Sequence, residues 1–213
     1  MCVAILKGKN KRISRAELTD AWNSNPDGGG LAWSEGGKLH VFKSFDKDGK
    51  MMNRDEFVDI AVKLQTKYLS ENMLIHFRIA TQGEVNERNC HPFIVNKDVV
   101  FIHNGVIRDV PHSNEVSDTR YFNRLYLRAL PFKFGDEHSP VFGARGINKL
   151  IEDRIGWSKL IFLNSKGEFE IVNEDSGTWK KGNWFSNLNH CRMTRTFKFS
   201  NALRPTSQRE LDL

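Results

Sequence analysis

The chain has 213 residues, of which 39% are hydrophobic and 27% charged, as is typical of one globular domain or at most two small ones. Its net charge is +6, but no RNA-binding motif or helix-turn-helix pattern accompanies the basic residues, so a nucleic-acid partner is not favoured. No apolar run approaches the roughly 18–20 residues that span a bilayer, so no membrane association is predicted. Three cysteines give no disulfide framework, which predicts a reducing, cytoplasmic compartment.

Apolar runs separated by turn residues predict short strands along the whole chain. An Asn-Ser-Lys-Gly turn at 164–167 joins two of them as a hairpin. The predicted strands cover residues 3–6, 31–34, 38–45, 73–80, 99–107, 159–163, 168–172 and 184–186.

Capping residues and apolar side chains at helical spacing predict three helices. The first begins after the N-cap Asn53, with a glutamate at the capping-box position. The second begins after Ser117 and is ended by Pro131, and the third covers 142–155 before Gly156. Their apolar faces comprise Phe57, Ile60, Ala61, Leu64 and Tyr68, then Phe122, Leu125 and Ala129, then Ile147, Leu150, Ile151 and Ile155. This order of elements predicts an α+β fold with antiparallel sheets covered by helices.

Cys2 follows the initiator methionine, whose removal would make this cysteine the N-terminal residue. An α-amine with an ordinary pKa of about 7.7–8.0 would then lie beside a thiol whose ordinary pKa is about 8.5. Because the amine can accept the proton of the thiol, one residue would supply both nucleophile and base. The alternative is that Cys2 is a small, buried apolar residue.

Two further segments supply groups that could bind an amino acid or polarise its carbonyl. In the segment 76–83, His-Phe-Arg-Ile-Ala-Thr-Gln-Gly, a strand delivers Arg78, whose guanidinium can orient a carboxylate. In the segment 103–105, His-Asn-Gly, the Asn104 amide and the Gly105 N–H can converge on one oxygen as an oxyanion hole. The alternatives are a surface salt bridge for Arg78 and a bulge or tight turn at Asn-Gly.

Asp118 lies in Ser-Asp-Thr at 117–119, in the first turn of the second predicted helix. The helix dipole stabilises a carboxylate there in any case, but Asp118 could also bind a substrate ammonium. Taken with the thiol, the arginine and the oxyanion hole, it describes a pocket for a free α-amino acid. In this pocket the Cys2 thiol would attack the side-chain carbonyl of that amino acid.

The adjacent Cys90 and His91 invite a metal interpretation, but no companion stands at a metal-ligand spacing. No metal site is therefore predicted. His91 is instead predicted to be a hydrogen-bonded structural histidine before Pro92.

Five motifs in one order resemble class II glutamine amidotransferase domains, members of the N-terminal-nucleophile hydrolase superfamily. They are Met-Cys at 1–2, the segment 76–83, Asn-Cys-His-Pro at 89–92, His-Asn-Gly at 103–105 and Ser-Asp-Thr at 117–119, and the Asp-Gly-Gly-Gly turn at 27–30 is similar as well. The resemblance predicts an amidotransferase domain over 2–187, with 188–213 as a basic C-terminal tail or extension. Two positions depart from the family pattern, since many members have His at Gln82 and an acid at Arg120.

The resemblance implies a four-layer αββα sandwich of two antiparallel sheets flanked by helices, with no cofactor. It implies site roles for Cys2 as nucleophile with its own amine as base, Asn104 and Gly105 as the oxyanion hole, Arg78 and Thr81 at the glutamine carboxylate, and Asp118 at its ammonium. The stretch 78–86 would close over bound L-glutamine and exclude water.

The leading hypothesis is a glutaminase subunit that hydrolyses L-glutamine through a Cys2 γ-glutamyl thioester. Its ammonia would pass to an acceptor on a separate synthetase or ligase, and the basic tail and the region of Trp179 and Trp184 are candidate docking surfaces. Two alternatives stay open. One is an N-terminal-cysteine amidase that acts on another γ-glutamyl-type amide without transfer. The other is a non-catalytic basic binding module that retains the fold.

Overall fold

Two antiparallel β-sheets lie face to face in the structure, a computed structural model that describes residues 1–130 and 145–191. The first sheet has the strand order β3-β2-β4-β1-β10-β9 and the second has the order β5-β6-β7-β8. The strands are β1 (Val3–Lys7), β2 (Gly29–Glu35), β3 (Lys38–Lys43), β4 (Met73–Phe77), β5 (Phe93–Asn96), β6 (Val99–Asn104), β7 (Lys159–Asn164), β8 (Phe169–Val172), β9 (Thr178–Lys180) and β10 (Asn183–Phe185). The helices are α1 (Arg15–Ser24), α2 (Arg54–Lys67), α3 (Asp118–Leu125) and α4 (Arg145–Ile155).

Strand β1 is buried on both faces, and its alternate side chains belong to two different cores, one on each side of the first sheet. Ala4 and Leu6 pack between the two sheets, in a core that also contains Val100 and Ile102 of β6. The intervening side chains of β1 point the other way, into a core formed with α1 and α2.

The second sheet repeats this arrangement on its own outer face. Phe101 and Phe162 pack against Phe122 of α3 and Ile151 of α4, while their strand neighbours face the first sheet. The layers therefore run helices, sheet, sheet, helices, which confirms the predicted α+β fold and its four-layer αββα sandwich.

Helix N-termini are capped where the sequence predicts them. The Asn53 side chain accepts from the backbone N–H groups of Asp55 and Glu56, and the Glu56 carboxylate accepts from the Asn53 N–H. Ser117 caps α3 in the same way. In the described ranges, none of the helices is long and apolar enough to cross a membrane.

Helix α1 and strands β5 and β9 are absent from the prediction. A signal for α1 was available, because Ser14 and Glu17 form a capping box immediately before Leu18 and Trp22, which are buried. The strands β5 and β9 have only four and three residues, too few to show a period.

The predicted apolar faces of the second and third helices are partly wrong. Phe122, Ile151 and Ile155 are buried as expected, but Leu125 is 50% exposed and Leu150 is 64% exposed. Helix α3 ends at Leu125 and a 3₁₀ turn follows over Leu127–Ala129, so the helical phase is reset there. Pro131, the predicted start of the third helix at 142 and the Ile147 side chain lie outside the described residues.

Three predicted strands extend too far: β3 ends at Lys43 and not at residue 45, and in the other two the excess residues carry the chemistry. β4 ends at Phe77 and β6 ends at Asn104, so Arg78 and Gly105 follow the strands and do not belong to them. At Gly105 the chain turns with a φ of 145°, a conformation that glycine tolerates and that ends the ladder.

The prediction that Trp179 and Trp184 belong to a docking surface is wrong for Trp184. Trp179 is 47% exposed, but Trp184 is fully buried between the sheets and its indole N–H donates to the Glu174 carbonyl. Most of the predicted basic tail, from residue 192 onward, lies outside the described residues.

Replacing Lys7 should destabilise the fold strongly. The Lys7 ammonium is buried and donates to the carbonyl oxygens of Tyr68 (3.1 Å), Leu69 (3.0 Å) and Glu71 (2.6 Å) at the end of α2, and burial lowers its pKa to about 8. In Lys7→Met these carbonyls lose their donor, and we expect the free energy of unfolding to fall by about 3 kcal/mol. Chemical denaturation measures this. Lys9→Met, at an exposed position, should change it by less than about 0.5 kcal/mol, and equal effects of the two changes would contradict the assignment.

Candidate active site

The register of the first sheet brings Cys2 and Arg78 to the same edge. Val3 of β1 pairs with Phe77 of β4, so the next residue outward on each strand lies at the same end of the sheet. The Cys2 Sγ lies 3.4 Å from the Ile79 nitrogen and 3.5 Å from the Ile79 oxygen. The Asn187 side-chain amide donates to the Cys2 carbonyl at 2.8 Å, which fixes the backbone that carries the thiol.

The environment of Cys2 keeps its thiol protonated. Burial raises the pKa of the Cys2 thiol, and this outweighs the lowering by the Ile79 N–H and by the positive charge of Arg78, while the negative charge of Asp118 raises it further. The charges of Arg78 and Asp118 thus shift the pKa of the thiol in opposite directions. Met1, in contrast, is 67% exposed.

Arg78 is buried, and its guanidinium reaches the loop that follows β4. It donates to the carbonyl oxygens of Glu84 (2.9 Å), Gln82 (3.1 Å) and Gly83 (3.1 Å). Within residues 1–130 and 145–191, no carboxylate lies within ion-pair distance of Arg78. The alternative interpretation of Arg78 as a surface salt bridge is therefore wrong. Thr81, predicted beside Arg78, is exposed.

A turn that precedes β2 braces the backbone around Arg78. The Asp27 carboxylate accepts from the Ala80 N–H at 2.8 Å, and the Arg78 backbone exchanges hydrogen bonds with Asp27 and Gly28. The Asp-Gly turn that forms part of the family resemblance thus holds the segment against which the thiol lies.

Asn104 and Gly105 occupy the end of β6, next to the segment that follows Cys2. The Asn104 Nδ2 donates to Ser186 Oγ at 2.7 Å, and the same hydroxyl accepts from the Ala4 N–H at 2.9 Å. Ser186 therefore orients the Asn104 amide, a role that sequence reasoning missed. A Cβ on Gly105 would lie 2.2 Å from Ser158 Oγ, so only glycine fits there.

Asp118 is buried at the start of α3, and neighbouring groups fix its carboxylate. Its Oδ2 accepts from the Ile107 N–H and its Oδ1 from the Thr119 N–H, both at 2.7 Å. The Thr119 hydroxyl donates to the same Oδ1 at 3.2 Å and lies 2.8 Å from His103 Nδ1. Across the described part of the chain, no Lys, Arg or His forms an ion pair with Asp118.

Asn89 links the loop held by Arg78 to the start of α3, and sequence reasoning missed this role too. Its amide donates to the carbonyls of Glu84 (3.1 Å) and Glu115 (2.6 Å), and its oxygen accepts from the Ser117 N–H (3.1 Å). A Cβ on Gly83 would lie 2.5 Å from the Ser117 nitrogen. The stretch 82–84 therefore packs tightly against the segment that carries Asp118.

Three buried histidines cluster beneath these residues. The His76 and His91 rings lie 3.9 Å apart, and the His91 and His103 rings lie 6.2 Å apart. His76 Nε2 bonds to the His103 carbonyl at 2.9 Å. The predicted hydrogen-bonded role of His91 is wrong, because neither of its ring nitrogens has a partner among the described residues. The His91 ring instead packs against the His76 ring on one side and against the Phe93 ring on the other, where the ring centres lie 4.7 Å apart.

These histidines should make the fold sensitive to acid. Burial lowers the pKa of His76 to about 3 and of His103 to about 4, and it lowers the pKa of His91 well below 6.5. The unfolded chain therefore binds more protons below pH 6.5, and stability falls as the pH decreases. From pH 7 to pH 5 we expect the free energy of unfolding to fall by roughly 1.5–2 kcal/mol for each histidine.

Urea denaturation at both pH values measures this loss. His91→Leu removes one titrating ring without breaking a hydrogen bond to the described residues and should reduce the loss by about a third. The control His112→Leu changes an exposed histidine. The explanation fails if His91→Leu retains the full pH dependence.

Cys90 is fully buried, and burial raises the pKa of its thiol to about 12. It therefore stays a thiol and does not compete with Cys2 as a nucleophile. The residues that the structure describes contain no group of three side chains arranged to hold a metal ion.

The family model of the class II glutamine amidotransferases matches residues 13–122, more than half of the chain. The chain belongs to this family. In this class II glutamine amidotransferase the matched range contains Arg78, Asn104 and Asp118, whereas Cys2 precedes it.

Two individual proteins resemble this class II glutamine amidotransferase over part of their own length. A Haemophilus influenzae protein named "Putative glutamine amidotransferase" is 37% identical over 100 residues, which cover 46% of this chain and 31% of that protein. The match thus spans about a third of the curated relative. The solved structure of glutamine phosphoribosylpyrophosphate amidotransferase from B. subtilis, complexed with ADP and GMP, aligns with a TM-score of 0.49 and 15% identity, over 87% of this chain and 41% of that one.

Proposed function

We propose that this chain hydrolyses L-glutamine to glutamate and ammonia with Cys2 as its nucleophile. One observation carries the proposal: two buried side chains of opposite charge lie near Cys2 or on the segment packed against its neighbours, and neither has an ion-pair partner within the described ranges. Arg78 follows β4 at the end of the sheet that carries Cys2, and Asp118 follows Ser117, against which the loop held by Arg78 packs. Buried charges are normally paired. A free α-amino acid would pair both at once, its carboxylate on Arg78 and its ammonium on Asp118.

Arg78 has donors left for a substrate carboxylate. A guanidinium carries five N–H groups, and the loop carbonyls occupy one bond from Nη1 and two from Nη2. The remaining Nε and Nη1 protons can bind a carboxylate oxygen. The bonds to residues 82–84 meanwhile fix the loop that would cover bound glutamine, while Thr81 lies exposed in the same loop.

The reaction requires a base because the thiol does not ionise by itself. Once Met1 is removed, the α-amine of Cys2 takes the thiol proton, and Sγ bonds to the side-chain amide carbon of glutamine. The amide nitrogen then takes this proton back from the α-ammonium, the C–N bond breaks, and ammonia leaves. Water attacks the γ-glutamyl thioester, which releases glutamate and returns the proton to sulfur.

Asn104 and Gly105 would stabilise the oxyanion that forms in both steps. The Asn104 Nδ2 carries two protons. One is donated to Ser186 Oγ, and the other can be donated to the developing oxyanion. The Gly105 backbone N–H would supply the second donor.

Asn104→Ala should impair turnover and spare glutamine binding. Loss of an oxyanion-hole donor costs roughly 10²–10³ in kcat, and Asn104 does not contact either α-group in the proposal, so KM should stay within a few-fold of wild type. Steady-state release of glutamate measures both. Ser186→Ala keeps the donor and removes its orienting partner together with the acceptor of the Ala4 N–H, so its kcat should fall less. Unchanged turnover in Asn104→Ala would contradict the role of Asn104 as a donor in the oxyanion hole.

The ammonia is proposed to pass to an acceptor on a separate synthetase or ligase, as the sequence resemblance implies. Ammonia formed at Cys2 would be released beside the buried Arg78, and a protected transfer from there is chemically reasonable because free ammonia is protonated in water. Co-purification of the chain with such an enzyme, together with glutamine-dependent amidation by the pair, tests this part.

A further inference from the structure

A cavity of about 440 Å³ opens beside the segment 87–93 and is lined by five cationic side chains. They come from β3, from the 3₁₀ turn at Glu87–Asn89, and from α3 and the turn after it. Among the described residues, no acidic side chain lines this cavity. We call these residues the basic cavity cluster: Lys43, Arg88, Arg120, Arg124 and Arg128.

The described residues do not neutralise the charges of the basic cavity cluster by ion pairing. In the described portion of the chain none of the five forms an ion pair. The Lys43 ammonium donates to the Glu87 carbonyl (3.0 Å) and lies 5.4 Å from the centre of the Phe93 ring, and Arg128 donates to the Ile94 carbonyl (3.2 Å). These neutral partners position the cations without cancelling their mutual repulsion.

One wall of the cavity is apolar. Val41, Pro92, Phe93 and Ile94 line it, and Ile94 is 48% exposed although it is a large aliphatic residue. A ligand for this cavity therefore needs anionic groups for one side and an apolar or flat group for the other. The volume lies within the roughly 300–1,000 Å³ of ordinary small-molecule sites.

We propose that the basic cavity cluster binds a small ligand that carries two or more linked phosphate groups. Four of the five cations are arginines, whose planar forks bind phosphate oxygens through paired hydrogen bonds. Linked phosphates would neutralise several of these charges at once, and a base or sugar attached to them would lie against Phe93 and Ile94. Arg120, a departure from the family pattern, gains a role as a ligand-binding residue.

This site is separate from the proposed glutamine pocket but shares an element with it. Helix α3 carries Asp118 in its first turn and Arg120 and Arg124 after it. No residue of the basic cavity cluster belongs to the glutamine pocket, so phosphate binding can be measured without glutamine turnover. A failure of one proposal is thus distinguishable from a failure of the other.

Isothermal titration of the full chain with pyrophosphate and, separately, with ATP tests the proposal. We expect saturable 1:1 binding of at least one probe, weakened about tenfold or more by Arg124→Glu combined with Arg128→Glu. Lys47→Glu combined with Lys50→Glu makes the same change of net charge at exposed residues outside the cavity and should weaken binding less than about twofold. If the glutamate variant does not fold, Arg124→Gln with Arg128→Gln replaces it and should also weaken binding.

Tighter binding of ATP than of pyrophosphate would support the site and assign a nucleotide to it. Equal binding would support it with the phosphates alone as the recognised group. The proposal is overturned if neither probe binds saturably, or if the control weakens binding as much as the cavity variant. It is also overturned if only a single-stranded oligonucleotide binds and the cavity variant abolishes that binding.

Discussion

Cys2→Ala should reduce glutamine hydrolysis to the background rate. The substitution removes the only proposed bond-forming atom, and loss of the nucleophile from an enzyme of this kind costs on the order of 10⁴–10⁶ in kcat. Alanine keeps the Cβ of Cys2 and lacks only the sulfur, and the loss of packing should be small because Cys2 is only half-buried. Glutamate release over hours, with the folded state checked by thermal unfolding, measures the effect.

Blocking the α-amine should impair a chain that still carries Cys2. Burial raises the pKa of the thiol, so at neutral pH the thiolate must be generated by a base, and the proposal assigns this role to the amine of the same residue. A protein that retains Met1 or an N-terminal tag should therefore turn over far more slowly than the processed chain. Cys191→Ala, which removes another free thiol, is the control and should retain the wild-type rate. A tagged chain with full activity would contradict the role of the amine.

Asp118→Asn should reduce kcat/KM for glutamine by roughly 10²–10³, because it removes the charge that pairs with the substrate ammonium. Loss of one member of a buried charge pair costs about 3–4 kcal/mol. The change is isosteric, so the oxygen that accepts from the Ile107 N–H can remain in place. Asp109→Asn, at an exposed carboxylate paired with Arg154, is the matched control and should have little effect.

Capped substrates separate this explanation from a general loss of folding. In the wild-type protein, N-acetylglutamine should be hydrolysed roughly 10²–10³ more slowly than glutamine, because its α-nitrogen carries no charge for Asp118. In Asp118→Asn the difference between the two substrates should largely disappear. The amide of the glutamine α-carboxylate tests Arg78 in the same way. Equal hydrolysis of free and capped amides by the wild-type chain would favour the amidase alternative.

The parts of the site that lie close together in sequence were predictable from it. Ser117 capping α3 with Asp118 in its first turn, and Asn104-Gly105 at the end of a buried strand, depend on local capping, periodicity and turn chemistry. The layered fold was predictable for a related reason. The first four positions of β1 are all apolar, and a strand of this kind is expected to be buried on both faces.

The positioning residues were not predictable, because each acts on a partner far away along the chain. Ser186 is 82 residues from the Asn104 amide that it orients, and Asn89 is 28 residues from the Ser117 N–H that it binds. The environment of the His91 ring depends on the packing of three separate segments, and no local sequence pattern predicts such packing. The limits of β4 and β6 were misjudged because apolar residues continue beyond Arg78 and Gly105, at 79–80 and 106–107, although the backbone has left the sheet.

Intact-protein mass before and after treatment with a diazoketone analogue of glutamine tests the central claim most directly, with Cys2→Ala as the control. We predict that the purified chain lacks Met1 and gains the mass of a single analogue, and that Cys2→Ala gains none. Free glutamine should protect against labelling, whereas N-acetylglutamine should not. A processed chain that takes up no label, or a Cys2→Ala chain labelled as strongly as the wild type, would contradict the proposal that Cys2 is a glutamine-specific N-terminal nucleophile.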